Sequence, residues 1–267
     1  MMSGSLVRHF FRRSLPCPRF SLASGQRRRG PSYPRHVALA KRESTTLAAA
    51  VIGLRDSYTN PKDYYDTWAS TYSSTVERWG YTAPQEVVNV LASTVPLRRS
   101  TLRVLDCGAG DGLVGLALAE HGFSDVTAVD ISERMLEIAQ ERGCYKDLVN
   151  GDIRDMPFEE GEFDVLICVA GTSYVSAESV LPEFLRVVRP GGLIGFSHKA
   201  GTWPEYVPLQ ESLVTEGAWK GVYEGDEQEY LPNFDEGDGE ELGVMTMKIW
   251  FYQKCAEAAP DAAGGPN

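Results

Sequence analysis

A chain of 267 residues, 43% hydrophobic and 24% charged, can bury one good core with appendages, or at most two small domains. Its net charge of −11 conceals a split: residues 1–42 carry nine Arg, one Lys and no acid, leaving 16 basic against 37 acidic residues, or −21, in the remainder. So acidic a body argues against tracking a phosphate backbone, hence against a nucleic-acid partner, and it tolerates cationic ligands.

The opening segment, residues 1–45, is rich in Arg and Ser and lacks the central apolar block of a secretory signal. It reads as a mitochondrial transit segment, with a disordered basic tail on a cytoplasmic protein as the alternative. Either way it stands outside the fold, which is expected to occupy residues 46–257. The apolar stretch 47–54 is too short to cross a bilayer, so no membrane span is expected. The five cysteines (17, 107, 144, 168, 255) are scattered without a C-x-x-C pair, which argues against zinc and disulfides and suits a reducing compartment.

From Pro61 to Trp79 the aromatics Tyr64, Tyr65, Trp68 and Tyr72 recur at helical spacing, and a second helix follows Pro84 with Val87, Val88 and Leu91 inward. Strands and helices then alternate. Strand 102–106 feeds a helix over 112–121; strand 126–130 feeds a helix that Ser132 can cap and Gly143 can end. A short strand near 148–150 precedes "GDIRDMPF". Strand 163–169 is followed by a helix around 179–188, and Pro190-Gly191-Gly192 turns into strand 193–197. Near-continuous apolar strands in such an alternation mean a parallel sheet covered by helices on both faces. The run 244–254 alternates instead, with Met245, Met247, Ile249 and Phe251 on one face, as on a half-buried or antiparallel edge strand. Residues 226–241 hold eight acids and no base, either a solvated loop or a collar for a cationic substrate. Residues 258–267 read as a disordered tail.

The chemistry gathers at "VLDCGAGDGLVG", residues 104–115. A dinucleotide loop places its third glycine three residues after the second; here Leu113 stands there and Gly112 comes one residue early. Asp106 and Asp111 flank the turn, where a carboxylate repels a pyrophosphate but attracts an ammonium group. Asp130 ends the second strand, 18 residues after Gly112, where it can accept both hydroxyls of a ribose. An adenosine, an ammonium and a sulfonium without phosphate describe S-adenosylmethionine.

In order, Asp106-x-Gly108-x-Gly110-x-Gly112, Asp130, Gly151-Asp152-Ile153, Phe163-Asp164-Val165 and Arg189-Pro190-Gly191-Gly192 resemble the motifs of class I S-adenosylmethionine-dependent methyltransferases. The resemblance spans roughly residues 58–254 and is faint from 200 to 243. It implies a Rossmann-like, doubly wound α/β sheet of seven strands, mostly parallel, with the last strand antiparallel. It also implies that Ala109 and Ile131 contact the cofactor beside their neighbours, that Asp152 and Ile153 hold the adenine, and that Val169 lies beside the methionine. Tyr65, Trp68 and Tyr72 either close over the cofactor, a ring facing the sulfonium, or form a plain apolar helix face. No metal is implied.

Displacement at a sulfonium needs mainly alignment and desolvation. Should the acceptor have to lose a proton early, His198 after the fifth strand is the candidate base, its alternative role being a strand-end hydrogen bond. "CVAGTSYV" follows the fourth strand where amide and base-amine methyltransferases carry an Asn/Asp-Pro-Pro-Tyr motif. The expected acceptor is therefore a small molecule or, failing that, a protein side chain. A cofactor-binding protein without catalysis is the reading from a different class. A nicotinamide oxidoreductase lacks both its glycine spacing and a Tyr-x-x-x-Lys pair, since Lys146 follows Tyr145 at once.

Overall fold

The computed structural model describes residues 60–256 apart from Pro96, Thr202 and 235–243. The basic N-terminal segment, the C-terminal tail and most of the second half of the acidic run therefore lie outside the described residues.

Two helices open the described chain, α1 (Pro61–Arg78) and α2 (Ala83–Thr94). Asn60 caps α1 by accepting from the Asp63 N–H, and Pro61 occupies its first turn, where a missing N–H costs nothing. Then follow β1 (Arg103–Cys107), α3 (Leu113–Glu120), β2 (Asp125–Asp130), α4 (Glu133–Arg142), β3 (Asp147–Asn150) and β4 (Phe163–Val169). The Ser132 hydroxyl accepts from the Met135 N–H at 3.2 Å and Gly143 ends α4 at φ +66°, the two signals that mark this helix in the sequence. Next come α5 (Ala177–Val187), β5 (Val188–Lys199), α6 (Val207–Thr215), β6 (Trp219–Glu224), β7 (Gln228–Leu231) and β8 (Met245–Lys254).

The sheet runs β3-β2-β1-β4-β5-β8-β6, with β7 also on β8. The first five strands are mutually parallel and β8 is antiparallel to β5. β6 pairs with residues 250–254 of β8 and β7 with residues 245–247, so the two share one position in tandem. Seven positions thus carry eight strand segments, which reconciles the expected seven strands with those found. Two expectations shift. The Pro190-Gly191-Gly192 turn lies within the span of β5 as an irregularity, since Val188 already pairs with Phe163 before the register jumps to Val165↔Leu193. And β8 is not an edge strand: β6 and β7 cover its outer side, and Trp250 and Tyr252 are buried together with Met247, Ile249 and Phe251.

The strand residues alternate between two cores. Val104, Val126, Val165 and Ile167 pack against α2 and α3, while Leu105, Leu166, Ile194 and Phe196 pack against α5 and α6. Burial on both faces is why these strands read as apolar runs. The reversal of strand order lies between β1 and β4, and that is where an open parallel sheet leaves a crevice at its carboxyl edge.

Candidate functional site

The loop after β1 is built by its own backbone. Gly108 and Ala109 donate their N–H groups to the Val129 carbonyl at 2.8 and 3.1 Å, Gly110 donates to Asp130 Oδ2 at 2.8 Å, and Gly112 donates to the Ala109 carbonyl at 3.1 Å. Gly108, Gly110 and Gly112 all have positive φ, which glycine alone adopts freely. A phosphate-binding loop aims unspent N–H groups at its anion. Here those of the three glycines and Ala109 are spent within the protein, so the loop offers Cα surface rather than donors. That surface suits close approach of the phosphate-free ribose and methionyl portions of S-adenosylmethionine and does not suit a pyrophosphate.

Asp130 completes the fit. Its Oδ2 takes the Gly110 N–H and its Oδ1 the Ser132 N–H at 2.8 Å, which leaves lone pairs on both oxygens at the cavity wall. Burial pushes its pKa up, and the two backbone N–H groups oppose that shift.

The cavity has a volume of about 1110 Å³. Its wall includes Tyr65, Trp68, Tyr72, Gly108, Gly110, Asp130, Ile131, Asp152, Ile153 and Val169, ten of the positions singled out in the sequence. Ala109, Gly112, Asp106 and His198 are not in that wall. Ala109 and Gly112 are buried within the loop, and Gly112 packs against α4: a Cβ there would stand 3.2 Å from Ala139 Cα. Asp152 holds Arg154 in a two-pronged ion pair, Nε to Oδ1 at 2.9 Å and Nη2 to Oδ2 at 2.5 Å. That hydrogen bond lowers its pKa, and the carboxylate stays charged in the cavity wall.

Asp106 is fully buried. Its Oδ2 accepts the Tyr145 hydroxyl at 2.6 Å, the same hydroxyl accepts the Gly115 N–H at 3.0 Å, and Oδ1 has no partner. The carboxyl thus braces α3 against the loop rather than meeting a ligand's ammonium. Burial pushes its pKa up to about 7, opposed by the Tyr145 hydrogen bond. A folded-state pKa above the ordinary ~3.9 means that the folded protein holds a proton that the unfolded chain releases. Asp106 should therefore lower stability progressively as pH rises from about 4 to 7. Chemical denaturation across this range should show that loss in wild type and a flatter profile in Asp106→Asn. Equal pH profiles would contradict the assignment.

His198 is 1% exposed, with Nδ1 2.9 Å from Thr172 Oγ1 and its ring 4.4 Å from that of Tyr206. Burial, then the neighbouring Lys199 charge, pulls its pKa down to about 4, so it is neutral at pH 7. A base must come within hydrogen-bond reach of its proton, and His198 lies behind the cavity wall. What it touches is the turn after β4. Ala170 there has φ +61°, strained for a residue with a Cβ, and its N–H is held by Ser197 Oγ at 3.0 Å. Tyr206 Oη lies 2.8 Å from the carbonyls of Thr172 and Val175. This turn carries Ala170, Gly171, Tyr174 and Val175 into the cavity.

The aromatic helix forms another wall. Only Ala69 and Val76 of α1 are buried, while Tyr65, Trp68 and Tyr72 stay half-buried and face the cavity. They are therefore not a plain apolar face packed into a core. Two polar clamps fix the helix. Asp66 accepts the Ser132 hydroxyl at 2.6 Å, and Ser73 and Arg142 both donate to Asp111 Oδ2, the arginine at 2.6 Å. Asp111 thus ties the helix to the glycine loop. The sequence did not disclose these clamps, whose partners lie 31 to 69 residues apart. Trp79, Tyr81, Tyr230 and Phe234 extend the ring-lined wall beyond α1. Asp226, Glu227 and Glu229, the described acids of the 226–241 run, are exposed and outside that wall.

Against known proteins, the profile of the family described as "Methyltransferase domain" matches residues 104–192. The chain is 31% identical over 166 residues to the human protein named methyltransferase-like protein 27, covering 61% of this chain and 67% of that one. It is 36% identical over 102 residues to demethylmenaquinone methyltransferase of Staphylococcus aureus strain MRSA252, which spans 36% of this chain and 42% of the bacterial one. Its fold resembles that of geranyl diphosphate C-methyltransferase from Streptomyces coelicolor A3(2), a structure containing S-adenosyl-L-homocysteine. The TM-score is 0.50 at 14% identity, over 62% of this chain and 74% of that one.

Proposed function

Because this chain belongs to the S-adenosylmethionine-dependent methyltransferases, we propose that it methylates a small molecule held in the ring-lined part of the cavity. When bound, S-adenosylmethionine supplies a methyl group already activated on a sulfonium. The chain's own residues do the rest: Asp130 and the glycine loop hold the adenosine, the turn 170–175 positions the reacting end, and the rings of α1 exclude water.

One observation carries the small-molecule reading. Ligand pockets run to roughly 300–1,000 Å³, and the cavity here, at about 1110 Å³, has room for a cofactor and a second small molecule within one set of walls. The name of the bacterial relative, a demethylmenaquinone methyltransferase, fits that reading. The purified chain, given methyl-labelled cofactor and a cell extract, should transfer label to the small-molecule fraction. Label found only on protein would overturn the proposal.

We further propose that residues 1–45 direct the chain to mitochondria, supported by their charge pattern. A fluorescent fusion of those residues should enter the organelle, and diffuse cytosolic signal would overturn this.

A further inference from the structure

Resting on the methyl-transfer reading above, we infer that Asp66 is a positioning residue of the cofactor site. It ties the carboxylate of Asp130 to the ring wall on α1, and that tie retains the bound cofactor. The first support is the way α1 faces. An amphipathic helix ordinarily turns its large apolar residues onto the body of its domain. α1 does the reverse. Tyr65, Trp68 and Tyr72, spaced i, i+3 and i+7, line the cavity, whereas Asp66, Ala69 and Ser73, at the same spacing one residue on, meet the body. Apolar packing contributes little to this seat, since of its 18 residues Ala69 and Val76 are the buried ones. An element so lightly packed opens locally at low cost unless hydrogen bonds hold it.

The second support is the hydrogen-bond path. Asp66 Oδ1 accepts the Ser132 hydroxyl at 2.6 Å and the Arg134 N–H at 3.3 Å. The Ser132 N–H in turn donates to Asp130 Oδ1 at 2.8 Å, so Ser132 alone stands between α1 and the carboxylate assigned to the ribose. Lys62 secures Asp66 by donating to its Oδ2 at 2.8 Å. The Asp66 carboxylate also stands at the N-terminus of α4, where unused N–H groups and the helix dipole favour an anion. The far end is fastened as well. Two turns along α1, Ser73 donates to Asp111 Oδ2 and accepts from Arg142, the last residue of α4, at 3.0 Å.

The third support is that these groups do not reach the ligand. Asp66, Ser73, Asp111 and Ser132 are not in the cavity wall, and Ser132 is fully buried. Asp66 therefore acts on the cofactor through Ser132 and Asp130 on one side and through the rings of α1 on the other. A cofactor on Asp130 fixes Ser132, Ser132 fixes Asp66, and Asp66 fixes the wall that shields the cofactor from water. Breaking the tie frees α1 to leave the cavity, while the groups that meet an incoming cofactor stay in place. Loss of Asp66 should thus speed departure far more than it changes arrival.

The test mixes the full chain with increasing S-adenosylhomocysteine in stopped flow, read by the emission of Trp68 and Trp79 in the cavity wall. Asp66→Ala should raise the dissociation rate about 10- to 100-fold, the loss of one charged hydrogen bond, and change the association rate by less than about threefold. Asp66→Asn, which removes the charge but keeps an acceptor for Ser132, should dissociate within about fivefold of wild type. Unfolded protein would lower the amplitude of the trace and leave its rates alone. Hydrogen exchange gives a second readout: saturating S-adenosylhomocysteine should slow the amides of residues 61–78 about tenfold in wild type and less than about twofold in Asp66→Ala. An unchanged dissociation rate in Asp66→Ala, an Asn variant as fast as the Ala variant, or α1 amides indifferent to the ligand in wild type would each overturn the inference and leave the methyl-transfer reading standing. A wild-type chain that does not bind S-adenosylhomocysteine would strike that reading, and the inference with it.

Discussion

Replacing Asp130 with Ala should lower affinity for S-adenosylmethionine about 30- to 1,000-fold, the equivalent of about 2–4 kcal/mol. Each hydrogen bond from a ribose hydroxyl to a carboxylate contributes roughly 1.5–3 kcal/mol, part of which water recovers when the site opens. The structure adds a second effect. Asp130 is 8% exposed and accepts the Gly110 and Ser132 N–H groups, so the glycine loop and the cap of α4 both hang on it. Two orphaned N–H groups cost about 1–3 kcal/mol each, so this strand-end carboxylate supports the fold as well as the site. The melting temperature should fall by about 5–15 °C, at roughly 2–4 °C per kcal/mol for a domain of this size. Asp130→Asn, which keeps one side-chain acceptor, should recover much of the stability and little of the affinity. Unchanged affinity in a folded Asp130→Ala would remove the ribose role.

Gly115→Ala should strongly destabilise α3 and its packing on Tyr145. A Cβ at this position would stand 2.3 Å from Tyr145 Cζ, 2.5 Å from its hydroxyl oxygen and 2.7 Å from Cys144 Sγ. The ring has little room to yield, because its hydroxyl is held between Asp106 and the Gly115 N–H. Overpacking costs about 1–3 kcal/mol, and displacing Tyr145 orphans a buried carboxyl oxygen and an N–H at about 1–3 kcal/mol each. Against this, the helix propensity of Ala over Gly returns only about 1 kcal/mol. A net loss of about 3–5 kcal/mol should lower the melting temperature by about 10 °C or more. A melting temperature within a degree of wild type would show that the contact relaxes freely.

What the sequence disclosed and what it withheld follow from how far apart the partners sit. The geometry of the glycine loop was legible because each constraint there is local: a strand, a turn that needs positive φ, and a carboxylate at the next strand end. Ser132 and Gly143 bracket α4 for the same reason. Asp111 was visible but unintelligible, since its meaning depends on Ser73 and Arg142 from two other helices. Asp106 misled in the opposite direction: a strand-end acid beside glycines suggests a ligand, but Tyr145 claims it from 39 residues away. The stretch 200–234 gave no pattern because its elements are short and one-sided. In β6 only Trp219 is buried, α6 has nine residues and β7 four. With β6 and β7 unseen, β8 read as an edge, and the Tyr230 and Phe234 side of the cavity had no signal.

We propose that the loop at residues 106–112 serves an adenosyl sulfonium cofactor and not a dinucleotide, because the N–H groups of Gly108, Ala109, Gly110 and Gly112 are already spent within the protein. Titration calorimetry of the wild-type chain tests this most directly, with S-adenosylhomocysteine as ligand and NAD as competitor. One molecule of S-adenosylhomocysteine should bind per chain, and millimolar NAD should leave its binding isotherm unchanged. Tight NAD binding that displaces S-adenosylhomocysteine would contradict the account.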